Sequence, residues 1–431
     1  MNRREFISTS FRPALALGLA AEVSSAANER IERPRQAAIE TLKPSRKDLE
    51  HGLELHANSL VVESYGFSPT SAIDGQAMRA AIEAGASAVE LEDLQEEMNM
   101  TRHVTVAAEQ REYKEAWDAS GVTCILQNAG AEGQDPPSLM KRLARFTYVT
   151  DMLRDFIFKA ATPSDILEAR KQKKHCLYFS GNSVPLAQRW DSVEDEVAFI
   201  RLFFQLGIRM MHLTYNRRNM LADGCGEASN GGLSDLGRAA IAEMNRLGVI
   251  VDVAHTGWKS SFEAAKASSR PMVASHSGCV SLHHHIRSKP DEVIRAIADT
   301  GGYVGVFSIS SFLGRSRDLN AMLDHIDYIV KRFGADHAAI GTDVAYRSSA
   351  NAAESAQAPR RPKSRPGFEG LWPGDSYSSG AQHPSLAWIN WPLFTVGMVQ
   401  RGHSDQDIQK ILGGNMLRVA QAVFPGVAVK N

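Results

Sequence analysis

The second half of the chain alternates two hydrophobic periodicities. In "LSDLGRAAIAEMNRLG" the residues Leu236, Ala240, Met244 and Leu247 fall on one helical face. Ser234 stands where an N-cap belongs, and Gly248 stands where a helix ends in a left-handed residue. The apolar run "VIVDVAH" follows at once, and it predicts a buried strand. The same grammar returns as helix "SSFEAAKAS" with strand "PMVASH", helix "PDEVIRAIADTGG" with strand "YVGVFSIS", and helix "LNAMLDHIDYIVKRFG" with strand "HAAIGTD". Short strands that are apolar on both faces and preceded by helices predict a parallel sheet rather than hairpins.

Upstream, "AIEAGASAVEL", "AWDASGVTCILQ", "ILEARKQKKHCLYFS" and "AFIRLFFQLGIRMMHLTY" read the same way. About eight such units predict an α/β (β/α)₈ barrel over 51–425. A doubly wound open sheet is the structural alternative. A stretch rich in proline, arginine and glycine, 347–375, predicts one long loop after the strand that ends at Asp343, a place where loops cover active sites. Ser404 with Asp407 three residues on predicts the start of a closing helix.

The N-terminus departs from this pattern. Arg3 and Arg4, an apolar run from Ala14 to Ala21 and small residues at 24–27 have the order of a twin-arginine export signal over 1–27. A charged tether or surface helix over 28–50 is expected to follow. The expected location is therefore periplasmic or extracellular. No other stretch is apolar and long enough to span a bilayer.

Composition narrows the partners. Of the 431 residues 43% are hydrophobic, enough for a large core. Lys and Arg number 48 against 49 Asp and Glu, a net charge of -1 that offers no attraction to nucleic acid. A small neutral or zwitterionic substrate is expected instead. Cys124, Cys176, Cys225 and Cys279 lack the spacing of a thiolate zinc site or a disulfide framework, although export would permit a bridge.

Candidate chemistry lies at the strand ends. In a parallel barrel these converge on one mouth, so His255, His276 and Asp343 are expected together although far apart in sequence. Imidazoles suit zinc, and a nearby carboxylate serves as ligand or proton carrier. Taken alone, a strand-end histidine is more often a hydrogen-bonded core or loop residue than a ligand, and it is the pair with an aspartate at a third strand end that raises the metal reading. In "HHHIR", at most one of His283, His284 and His285 is expected to face the mouth, and Arg287 reads either as a carboxylate clamp or as a salt-bridge partner.

At these residues the chain resembles a known family. "LTYNRRNMLADGC", "GLSDLGRAAIAEMNRLGVIVDVAH", "PMVASHS", "HIRSKPDE", "GGYVGVF", "IGTD" and "ILGGNMLRV", in that order over roughly 200–425, resemble the membrane (renal) dipeptidases. The resemblance implies a metal-dependent hydrolase barrel that carries two zinc ions and cleaves dipeptides, often as a dimer. It implies His255 and His276 as ligands of one zinc, Arg287 as holder of the substrate carboxylate, and Asp343 in proton transfer.

Other positions depart from the family pattern. Tyr65 and Phe67 replace a His-x-Asp pair, Ser180 replaces the bridging glutamate, and Tyr215 replaces the histidine of "LTHN", where it is read as lining the substrate pocket. The expectation is one zinc rather than two, completed by Glu63 or Asp343, in a hydrolase of a dipeptide or related small amide with a free carboxylate. Two alternatives stay open: a barrel that has lost its metal and binds a small ligand, and a metal-independent lyase or isomerase with Tyr65 or Tyr215 as acid and Asp343 as base.

Overall fold

The computed structural model describes residues 29–130, 136–359 and 381–424. Among the described residues nine strands run in one parallel sheet: β1 (Val62–Gly66), β2 (Cys124–Asn128), β3 (Ile157–Lys159), β4 (His175–Gly181), β5 (Ile208–His212), β6 (Ile250–Asp252), β7 (Val273–Ser277), β8 (Tyr303–Val306) and β9 (Ala338–Ile340). The order is β1-β2-β4-β5-β6-β7-β8-β9, with the short β3 attached beside β4. Helices alternate with these strands, and the result is the expected (β/α)₈ architecture, an eight-strand barrel that is nearly closed. The open-sheet alternative falls, because β9 returns to β1.

That return is made by side chains as well as backbone. At the β9–β1 seam Asp343 N–H donates to Tyr65 O (3.3 Å), and Thr342 N–H donates to Glu63 Oε1 (3.1 Å). The Thr342 hydroxyl also donates to Glu63 Oε1, and Trp388 Nε1–H donates to its Oε2 at 2.5 Å. A wholly buried carboxyl thus substitutes for ladder bonds where the sheet closes. Burial pushes its pKa up to about 8, even though all three donors favour the ionised form.

The helical readings hold in detail. Ser234 accepts from Gly237 N–H and caps the helix Asp235–Leu247, which Gly248 ends at φ 90°. Strand β6, however, stops at Asp252, so His255 lies on the turn after it, and Asp343 likewise lies three residues beyond β9.

The 28–50 segment is more than a tether. From Glu29 it forms helices Glu29–Leu42 and Arg46–Asn58, and Ile31, Ala38, Leu42, Leu53 and Leu55 are buried in the main core. Within 347–375 the described part holds a short helix, Asn351–Gln357. The export signal and the rest of that loop lie outside the described residues. All four cysteines are free thiols. Among the described residues no helix is long and apolar enough to cross a membrane.

Candidate metal centre and its surroundings

The barrel brings His255, His276 and Asp343 together. His255 Nε2 and His276 Nε2 are 2.9 Å apart, and Asp343 Oδ2 is 3.9 Å from His276 Nε2. Both rings are buried, and burial, reinforced by the nearby Arg287 charge, drives both pKa values well below the ordinary histidine range. They are therefore neutral at pH 7, the form in which imidazole binds a metal.

Hydrogen bonds order the protons. Asn216 Oδ1 accepts from His255 Nδ1–H (2.8 Å) and from the Cys225 thiol (3.2 Å), leaving the His255 Nε2 lone pair facing inward. His276 then donates Nε2–H to His255, and its Nδ1 accepts from the Ser275 hydroxyl at 2.8 Å. Moving one proton from Nε2 to Nδ1 of His276 turns both Nε2 lone pairs toward a common point.

Two further groups belong to the cluster. His212 ends β5 and Asp252 ends β6, both fully buried, with His212 Nε2 2.6 Å from Asp252 Oδ2. Asp252 Oδ1 accepts from Ala254 N–H (2.9 Å) and Ser275 N–H (3.0 Å). Burial works against its ionisation, but His212 and the Ser275 bonds outweigh that and hold its pKa below the carboxylate range. The same strand-end rule that singled out His255 and His276 applies to both residues. Sequence reasoning passed over them because His212 sits among apolar residues and Asp252 read as one acid inside a buried strand.

The donor set fits one ion. Potential ligand atoms of His212, Asp252 and His276 lie within 4.8 Å of one another. Despite their close approach, both His212 ring nitrogens and Asp252 Oδ2 lack an aligned hydrogen-bond partner among the described residues, a costly state for buried polar atoms. The centroids of His212, His255 and His276 form a triangle with sides of 5.3, 5.3 and 4.9 Å. Three imidazoles around a tetrahedral zinc, with Zn–N near 2.05 Å, have centroids about 5 Å apart and nitrogens about 3.3 Å apart. The 2.9 Å His255–His276 contact needs to open by only a few tenths of an ångström to meet that.

The neighbours of this group are aromatic rather than ligating. Tyr65 stacks on His276 (centroids 3.9 Å, planes 13° apart), Phe67 packs edge-on to Tyr65, and Tyr215 stacks on His255 at 4.2 Å. Aromatic rings stand where further ligands would be needed, and the wholly buried Ser180 contributes only a hydroxyl. Glu63, expected as a completing ligand, is instead committed to Thr342 and Trp388 at the seam. Tyr65 donates to Asn182 Oδ1 (2.5 Å), which occupies its proton, and burial raises its pKa well above 10.

Arg287 is buried beside the cluster, donating to His276 O at 3.5 Å, so the surface salt-bridge reading falls. Of the histidine run, His285 stacks on Phe312 and His284 is exposed, and none of the three is in the metal-capable group. Asp343 adopts φ 58°, a left-handed conformation that aspartate tolerates better than most residues and that marks strained, functional turns. Burial pushes its pKa up to about 6. Phe67, Tyr215 and Asp343 are half-buried and form the accessible side of an otherwise sealed cluster.

Comparison with known proteins agrees with the barrel. The family model described as membrane dipeptidase (peptidase family M19) matches residues 50–355. Dipeptidase verJ of Clonostachys rogersoniana is 30% identical over 231 residues, 52% of this chain and 50% of the relative. Dipeptidase tcpJ of Claviceps purpurea is 28% identical over 52% of this chain and 47% of its own. The chain thus spans about half the length of the curated relatives it matches. Among solved structures, an amidohydrolase from Pseudomonas aeruginosa superposes with a TM-score of 0.61 at 24% identity, covering 86% of this chain and 99% of its own. A metallopeptidase from Rhodobacter sphaeroides, liganded with a phosphinate mimic of L-Ala-D-Ala, superposes at 0.53 and 18% identity, covering 85% and 100%.

Proposed function

The chain belongs to the membrane dipeptidase family, and from that premise we propose that it is a hydrolase of a dipeptide or related small amide with a free carboxylate, built on a one-zinc variant of the family's site. The observation that carries this reading is the convergence of the His255 and His276 Nε2 atoms, 2.9 Å apart, beside Asp343. These histidines would hold the ion, with His212 and Asp252 close enough to complete the set. Bound there, a zinc ion would supply Lewis acidity and acidify a water near neutral pH.

The protein's own groups do the rest. Arg287, planar and always charged, holds the substrate carboxylate. Asp343 is raised to about pKa 6, so at pH 7 it is mostly ionised with about a tenth protonated, and it is suited to take a proton and pass it to the leaving amine. Tyr215 lines the accessible side next to His255. The relatives' names as dipeptidases, and the dipeptide mimic in the R. sphaeroides structure, support this substrate class.

A second reading, a ligand-binding barrel without metal, is favoured by one observation: His255 and His276 already satisfy each other in a sealed cluster. Metal analysis with a dipeptide panel separates the two. The proposal expects about one zinc per chain, lost in His255→Ala, and dipeptide hydrolysis lost in Asp343→Asn with zinc retained. A zinc-reconstituted protein that binds no metal and cleaves nothing in the panel establishes the second reading. The order of residues 1–27 supports export, and retention of a signal-deleted form in the cytoplasmic fraction tests it.

A further inference from the structure

Lys289 is wholly buried, and among the described residues no carboxylate pairs with it. Its ammonium donates instead to two neutral acceptors, Thr256 O (2.5 Å) and Ser261 Oγ (3.1 Å). Burial pulls its pKa down to about 7, which shows how poorly the position suits a cation. A buried ammonium without an acidic partner costs stability that an apolar side chain of similar length would not. Nor is the lysine needed to satisfy its neighbours, because the Ser261 hydroxyl already donates to Thr256 O (3.1 Å).

What the lysine does is connect two turns of the site. Thr256 directly follows His255 on the turn after β6. Lys289 lies two residues beyond Arg287, in a segment bonded to the turn after β7: the Ser277 hydroxyl donates to Arg287 O (2.7 Å), Lys289 N–H to Gly278 O (2.9 Å) and Val280 N–H to Lys289 O (3.0 Å). Trp258 Nε1–H adds a second tie from the His255 side, to Ser288 O (2.9 Å). The Lys289 side chain therefore reaches from the backbone that carries Arg287 to the carbonyl next to His255.

We infer that Lys289 is a positioning residue, holding the His255 turn at a fixed distance from the Arg287 segment and so setting the spacing between the ion and the clamp for the substrate carboxylate. The inference rests on the hydrolase reading for the ion and the clamp, but the hold on His255 is testable without either.

Lys289→Met in the full-length protein removes the ammonium and keeps a side chain of similar length. Its melting temperature is expected to equal or exceed that of the wild type, while zinc affinity, measured by competition with a chromogenic chelator, falls about tenfold. In EDTA-treated protein with ¹⁵N-labelled histidine, the His255 ring is expected to pass from the single tautomer set by Asn216 to exchange between two, with the ring of His175, at the start of β4, unmoved. Loss of a charge alone shifts ring signals without exchanging tautomers. A lowered melting temperature means that Lys289 serves the fold, and zinc affinity equal to wild type means that it does not place His255; either overturns the inference. If the wild type binds no zinc, the hydrolase reading fails and the ring signals decide: a His255 ring in one tautomer in both proteins overturns the positioning role, and exchange in the variant alone upholds it.

Discussion

Substituting Glu63 by glutamine tests how the barrel seam is held. The carboxyl is fully buried and its pKa rises from 4.5 in the unfolded chain to about 8. A raised folded-state pKa means that its stabilising contribution is complete below pH 4.5 and is lost as pH climbs through 8. At about 1.4 kcal/mol per pH unit, roughly 4 kcal/mol disappears between pH 5 and pH 8.

Glutamine does not titrate, and its amide N–H₂ would face either Trp388 Nε1–H or the Thr342 donors, leaving one buried donor unpaired at a constant cost of about 1–3 kcal/mol. The wild type is therefore expected to be the more stable form at pH 5 and the less stable at pH 8. Urea unfolding of both proteins at half-unit pH intervals, followed by tryptophan fluorescence, reads the difference directly. All other titrating groups are common to the pair and cancel. A stability difference that stays constant across this range refutes the argument that burial dominates at Glu63.

Four further outcomes follow from the site. Asn216→Ala removes the acceptor that orients His255 and is expected to weaken zinc binding by about 10- to 100-fold, measured by competition with a chromogenic chelator. Asp343→Asn keeps a residue that tolerates φ 58° but abolishes proton transfer, so kcat is expected to fall by about 10²- to 10⁴-fold with the melting temperature nearly unchanged. Asp343→Leu adds backbone strain and is expected to lower the melting temperature as well. Combining Tyr65→His, Phe67→Asp, Ser180→Glu and Tyr215→His rebuilds the ligand pattern the family resemblance implies, and is expected to raise zinc from about one to two per chain by mass spectrometry of the metal content.

Much of the barrel was legible along the chain because its causes are local. The helix Asp235–Leu247 is specified by its own apolar stripe, its Ser234 cap and its Gly248 stop, and the parallel strands by apolar runs between such helices. The same local logic placed His255, His276 and Asp343 near one mouth, and motif order supplied Arg287 and Tyr215. The departures expected at Tyr65, Phe67, Ser180 and Tyr215 came from the sequence too, because a missing ligand type needs no coordinates to be noticed.

Tertiary structure decided what depends on contacts between distant segments. Nothing around Glu63 in sequence announces Trp388, 325 residues away, so its duty at the seam rather than at a metal could come only from barrel closure. His212 and Asp252 joined the cluster because β5 and β6 lie side by side with those residues in register. The tautomer of His255 was set by Asn216, 39 residues earlier, and the burial of the first helix, expected only as a surface helix or tether, by its packing into the main core. Periodicity, caps and residue chemistry act over a few residues and can be read in order, whereas a proton's position, a pKa or a pocket is the sum of neighbours that only the folded chain assembles.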